Sequence, residues 1–318
     1  MYKKRKRHQK PNFGYGRTLS HAVKQALISE YGFGCYGTRK THEGRFKIFI
    51  EHLSHYNVDD TRNVTIEHTE AFAQRIQLDF QSGNMCLSYA NNMISSVNII
   101  MRIFRRNDDL YIKASDYLDA RTYIRKKVPS MNDQSINEAT SILDESGYKR
   151  GSAIVRLVRN FGLRLREAIL MDLNRCWIEY KKTGFLTILE GTKGGRKCDS
   201  RNIPVTPDGV KALEYARLVR PEGSKNLLSA NKNDESLKDF LYSEVKQLRV
   251  ILKKYEIVNI REIRVYFMIE YFEKVTGLPA PVVDQSTLLN EELLKLGWTE
   301  VARVAGHNRM SVARSYVG

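Results

Sequence analysis

The sequence predicts a mainly α-helical protein carrying one small β-hairpin. Apolar residues recur at three- and four-residue intervals through most of the chain, which is the period of a one-sided helix. One stretch departs from this: Phe185-Leu186-Thr187-Ile188-Leu189 and Arg201-Asn202-Ile203-Pro204-Val205 flank Gly194-Gly195, a hairpin pattern. A hydrophobic fraction of 42% across 318 residues supports ordinary buried cores, and the length suggests two domains.

Residues 1–17 form a basic arm with Lys3, Lys4, Arg5, Lys6, Arg7, Lys10 and Arg17 and no acidic residue. Like charges at this density repel, so the arm is expected not to pack unless a polyanion neutralises it. Residues 18–117 read as about four helices. Phe46, Phe49, Ile50 and Leu53 mark one buried face; Phe72, Ile76 and Phe80 a second; Tyr89, Met93, Val97 and Met101 a third. A weaker segment runs from Ser20 to Tyr31, and the region closes on Arg102, Arg105 and Arg106. Residues 118–135, with Arg121, Arg125, Lys126, Lys127 and Pro129, read as a basic linker. The remainder, 136–318, mixes helices with the hairpin; Leu213 to Arg217 and Leu237 to Lys254 read as helical.

The net charge is +16, so the expected partner is a polyanion, because each phosphate met by Lys or Arg releases condensed counterions. No apolar run approaches a membrane span and no signal-peptide pattern opens the chain, which makes a cytoplasmic protein without a membrane partner the expectation. Cys35, Cys86, Cys176 and Cys198 are far apart with no CxxC pair, so reduced thiols are expected in place of zinc ligands or disulfides. There is no GxxxxGK[ST] loop, HExxH pair or carboxylate cluster suited to two Mg²⁺ ions, and no metal or cofactor is expected.

The chemistry-bearing residues concentrate in the C-terminal part. Arg164 and Glu167 lie in Gly162-Leu163-Arg164-Leu165-Arg166-Glu167, three apart on what reads as one helical face, with Arg166 turned away. Lys193 lies in Gly191-Thr192-Lys193-Gly194-Gly195 at the hairpin tip, with Lys197 as the alternative. Arg261 and Arg264 share a second predicted helical face, anchored by Val265, Met268, Ile269 and Phe272. Gly306-His307-Asn308-Arg309 precedes Tyr316 by nine positions from His307.

In order, spacing and context together these segments resemble the signature boxes of the tyrosine recombinases, the DNA-breaking and rejoining enzymes that include phage integrases and the Xer proteins. The resemblance implies a helical core-binding domain at 18–117 and a catalytic domain at 136–318. It makes Tyr316 the nucleophile, Arg164, Arg264 and His307 contacts to the scissile phosphate, Lys193 the general acid and Glu167 a supporting acid. The basic residues Lys3, Lys4, Arg5, Lys6, Arg7, Arg102, Arg105, Arg106, Arg125, Lys126 and Lys127 become candidate DNA contacts. Double-stranded DNA is the implied partner, held by a homotetramer on two duplexes, with possible accessory DNA-bending or directionality factors.

The family box His-x-x-Arg has Arg at its first position here. A guanidinium stays protonated, so Arg261 donates hydrogen bonds but cannot take the tyrosine's proton. That proton would pass to water, to His307, or be released by the field of neighbouring cations. Arg261 and the short tail after Tyr316 point to a mobile-element integrase over an Xer-type resolvase. A recombinase-like chain that binds DNA without cutting it, and a type IB topoisomerase, are the competing classes.

Overall fold

The computed structural model describes residues 10–192, 201–231 and 235–318. It is mainly α-helical with one two-stranded antiparallel sheet, as the apolar periodicity implies. The chain divides into two compact units, residues 1–122 and 123–318.

The first unit contains α1 (Leu19–Tyr31), α2 (Tyr36–Ser54), α3 (Ile66–Gln81) and α4 (Leu87–Arg105). Phe46, Phe49, Leu53, Phe72, Ile76, Met93, Val97 and Met101 form its core. Three residues of the expected stripes behave otherwise: Tyr89 at the first turn of α4 is exposed, and Ile50 and Phe80 are half-buried. Each lies at the margin of its apolar face, where a four-residue spacing drifts off the 3.6-residue turn.

Arg105 ends α4 and is half-buried. Its Nη2 donates to the backbone carbonyls of Thr61, Arg62 and Val64, closing the turn that precedes α3. Replacing Arg105 with alanine is expected to lower stability by about 1–3 kcal/mol by stranding these acceptors, read by urea melting of the full chain.

The second unit is built on α5 (Asp133–Glu145), α6 (Lys149–Phe161), α7 (Leu165–Leu170), α8 (Leu173–Thr183), β1 (Phe185–Thr187), β2 (Asn202–Pro204), α9 (Pro207–Val219), α10 (Leu237–Tyr242), α11 (Glu244–Lys254), α12 (Ile260–Thr276), α13 (Glu291–Val304) and α14 (Arg314–Val317). The strands pair Phe185 with Pro204, Leu186 with Ile203 and Thr187 with Asn202, burying Leu186 and Ile203 on one face. The helix expected over Leu237 to Lys254 is two helices. Ser243 (φ −91°, ψ −84°) breaks it between α10 and α11, a kink that side-chain periodicity does not register.

α12 passes through the centre of this core. Ile263, Val265, Met268 and Phe272 are fully buried on it, which anchors Arg264 within the protein. The chain leaves β1 toward residue 193 through Gly191 (φ +71°). A Cβ there would stand 2.4 Å from the Arg166 carbonyl oxygen, so only glycine lets the strand exit lie against α7.

Candidate active site

Three short segments converge on the one that carries Tyr316. Arg164 comes from the start of α7, Arg264 from the first turn and a half of α12, His307 from the turn after α13, and Tyr316 from α14. Arg164 is not inside a helix, as its three-residue spacing from Glu167 suggested. It is the extended N-cap residue of α7 (φ −73°, ψ 154°), because α6 ends at Gly162 and leaves one residue between the cap and that glycine. Glu167 reaches back from the third helical position. Its Oε2 accepts from the Arg164 backbone N–H at 2.7 Å and its Oε1 from Arg164 Nη1 at 2.6 Å. Arg166 is exposed.

Arg264 is 2% exposed. Its Nη1 donates to the Gly162 carbonyl (2.7 Å), and its Nη2 donates to the Ala305 carbonyl (2.7 Å) and the Tyr316 hydroxyl (3.2 Å). The guanidinium carbon also lies 5.2 Å from the centre of the Tyr316 ring. The Arg264 Nε–H is buried and has no hydrogen-bond acceptor among the described residues. Burial lowers the guanidinium's pKa to about 10, with the Arg164 and Arg201 cations adding to the effect, so the group is still charged at neutral pH.

His307 Nε2 lies 3.2 Å from Arg164 Nη2 and 3.1 Å from the Tyr316 oxygen. Desolvation, then repulsion by Arg164, Arg264 and Arg201, lowers the imidazole's pKa to about 4, which makes it neutral near pH 7. Arginine only donates, so the Nε2 lone pair faces Arg164 and the ring proton belongs on Nδ1. The Tyr316 hydroxyl then donates to Nε2 while accepting from Arg264. Tyr316 itself is 6% exposed. Its helix is held in place where Val282 N donates to the Val317 carbonyl (2.8 Å) and Trp298 Nε1 to the Gly318 oxygen (3.0 Å).

Sequence reasoning missed one residue of this cluster. Arg201, just before β2, is 2% exposed and forks onto Glu167 with Nη1–Oε1 2.7 Å and Nη2–Oε2 2.9 Å. No local pattern marks it, because its partner lies 34 residues away. Glu167 is thus a single buried carboxylate among three guanidinium groups, with Arg264 at 3.6 Å. Burial alone would raise its pKa; hydrogen bonding and attraction from Arg201, with Arg164 and Arg264, outweigh that and hold it at about 2.

Gly306 (φ +68°) packs on the same arginine, with a Cβ position only 3.0 Å from Arg201 Cδ. Gly306→Ala is expected to cost about 1–2 kcal/mol from the left-handed backbone before any crowding of Arg201, measurable by thermal melting.

Beside Tyr316 lies a cavity of about 340 Å³ whose lining includes Arg164, Arg249, Arg261, Arg264 and Asn259 and no carboxylate. Arg249 and Arg261 are exposed and have no hydrogen-bond or ion-pair partner among the described residues. Arg261 and Arg264 share the cavity, but Arg261 stands at its rim and Arg264 in its wall. Among the described residues no group of three or more His, Cys, Asp or Glu side chains could hold a metal ion, and no helix is long and apolar enough to cross a membrane.

Lys193, Lys197 and the arm residues Lys3, Lys4, Arg5, Lys6 and Arg7 lie outside the described residues. Of the other basic candidates, Arg102, Lys126 and Lys127 are exposed. Arg106 pairs with Glu30 at 2.9 Å. Arg125 is engaged by Glu262 on α12 and by the Lys127 carbonyl, and its backbone N–H donates to the Arg314 carbonyl at 2.8 Å. Arg105 and Arg125 therefore serve internal contacts, which the count of positive residues could not distinguish from surface charge.

No family model matches the sequence, and no curated protein matches it. Solved structures do. The Tn1549 transposon integrase in complex with circular intermediate DNA aligns over 95% of this chain and 96% of its own, with a TM-score of 0.60 at 15% identity. A Tyr-to-Phe variant of that integrase with transposon right end DNA aligns over 93% of this chain and 94% of its own, with a TM-score of 0.58 at 15% identity. The XerA recombinase crystal structure gives a TM-score of 0.38. By this similarity of structure, the chain has the fold of the Tn1549 transposon integrase.

Proposed function

We propose that the chain is a tyrosine-type site-specific DNA recombinase, an integrase of a mobile element, that cuts and rejoins strands through a 3′-phosphotyrosyl intermediate. One observation carries the reading: the Tyr316 hydroxyl is gripped by Arg264 and His307 beside a cavity bearing four arginines and no carboxylate. That is a receptacle for a phosphodiester with a nucleophile in its wall. The +16 charge supports a DNA partner, as do the DNA complexes of the Tn1549 integrase.

In the proposed reaction the phosphodiester enters and draws Arg164 toward its non-bridging oxygens. The His307 lone pair is then left to the Tyr316 proton. The phenol oxygen bonds to phosphorus and the bond from phosphorus to the 5′ oxygen breaks. The proton passes to His307 Nε2, and the departing oxygen takes one from the segment bearing Lys193. Arg164, Arg264 and Arg261 stabilise the charge that builds on the phosphoryl oxygens. A 5′-hydroxyl of another strand reverses these steps, so no nucleotide is consumed. Residues 18–117 serve as the core-binding domain, and a homotetramer joins two duplexes.

The test is covalent capture. Protein is mixed, in EDTA, with nicked duplexes spanning the DNA that flanks its gene, and an SDS-resistant adduct on Tyr316 is sought by mass spectrometry. Tight binding without an adduct would instead identify a DNA-binding protein that does not cut. Relaxation of any supercoiled plasmid by a monomer would identify a topoisomerase.

A further inference from the structure

We infer that Arg201 is a positioning residue for strand cleavage: by occupying one lone pair on each Glu167 oxygen, it keeps Arg264 free to serve Tyr316. The inference rests on the recombinase reading above. Arg201 does not touch the reacting groups. It is fully enclosed, donates from Nε to the Val304 carbonyl at 2.8 Å, and makes no hydrogen bond to Tyr316 or His307.

Glu167 has no acceptor site to spare. An ionised carboxylate offers about four lone-pair sites. On Glu167, Oε1 accepts from Arg164 Nη1 and Arg201 Nη1, and Oε2 accepts from the Arg164 backbone and Arg201 Nη2. All four are taken. Arg264 Nη1 stands 3.6 Å from Oε2, beyond a hydrogen bond, and directs its donors to Gly162, Ala305 and Tyr316 instead. Remove the Arg201 fork and the nearest unsatisfied cation is Arg264. Glu167 would then draw it off the nucleophile.

The Arg201 stem has a second task. It forms the floor under Gly306, whose Cβ position lies 3.0 Å from Cδ and 3.1 Å from Nε, and so sets the height of the turn that presents His307. One side chain therefore registers the clamp arginines against the imidazole.

Lysine at this position keeps the buried charge and can neutralise Glu167, but it offers no parallel fork. Arg201→Lys and Arg201→Gln are compared with wild type on nicked duplexes at saturating protein, beside DNA affinity, thermal melting and the NMR titration of His307 in free protein. Arg201→Lys is expected to fold and to bind DNA within about threefold of wild type, yet form the adduct on the order of 30-fold more slowly, as when other groups that orient a reacting side chain are lost. A folded Arg201→Lys that cleaves within about threefold of wild type overturns the inference, since a purely structural arginine predicts that result.

His307 is faced by Arg164 and Glu167 from α7, Arg264 from α12, Arg201 from the β2 side and the Tyr316 hydroxyl from α14. In Arg201→Gln its titration midpoint is expected to rise; an unchanged midpoint counts against the inference. If wild type itself forms no adduct, the recombinase reading fails, while the His307 titration still decides whether Arg201 orders this cluster.

Discussion

Tyr316→Phe is expected to eliminate covalent adduct formation while leaving fold and DNA affinity intact. The substitution removes one oxygen. The ring keeps its place against the Arg264 guanidinium, 5.2 Å away, and the backbone contacts that fasten Val317 and Gly318 are untouched. What disappears is the atom that accepts from Arg264 and donates to His307. Loss of a covalent nucleophile costs on the order of 10⁴-fold or more, so no residual adduct should be detectable by gel. Adduct formation by the phenylalanine variant would move the nucleophile elsewhere and remove the central claim.

The second large effect concerns stability. Glu167→Ala removes the one anion shared by three buried or half-buried guanidinium groups, and stranding such charges costs about 3–5 kcal/mol. The same carboxylate gives the fold an acid limit. Its pKa falls from 4.5 in the ordinary state to about 2 in the folded protein. The unfolded chain therefore binds the proton more readily, and the stabilisation, about 3 kcal/mol, is complete above pH 4.5 and is lost as pH falls toward 2. His307 acts in the same direction: with its folded pKa lowered to about 4, acid favours the unfolded chain between the ordinary imidazole value and that point. Urea melts from pH 7 to 3 should show stability falling on acidification, with a smaller slope below pH 4.5 in Glu167→Gln. A wild-type curve that is flat over this range would contradict the account.

The helical class and the small hairpin were legible because buried side chains repeat with the period of the backbone that carries them. Phe46, Phe49 and Leu53 show this for α2. The gathering of Arg164, Glu167, Arg264, His307 and Tyr316 was legible only through motif order, since apart from the neighbouring pairs Arg164–Glu167 and His307–Tyr316 these residues lie far apart in sequence. Two kinds of feature stayed hidden. Local backbone events, such as the cap at Arg164 and the break at Ser243, depend on torsions that many residues adopt equally well. Long-range pairing, as between Arg201 and Glu167 or Arg125 and Glu262, leaves no trace in spacing. A buried arginine and a DNA-facing one look alike until their partners are known.

The exit through Gly191 and the return through Arg201 have a bearing on how the site tolerates a change in chain length. Both points lie on α7, one against the Arg166 backbone and the other on the Glu167 side chain. Residues inserted or deleted between them change only the length of chain joining two moorings on the same helix. A change in length between these two moorings would therefore leave Glu167 and the arginines around it in register.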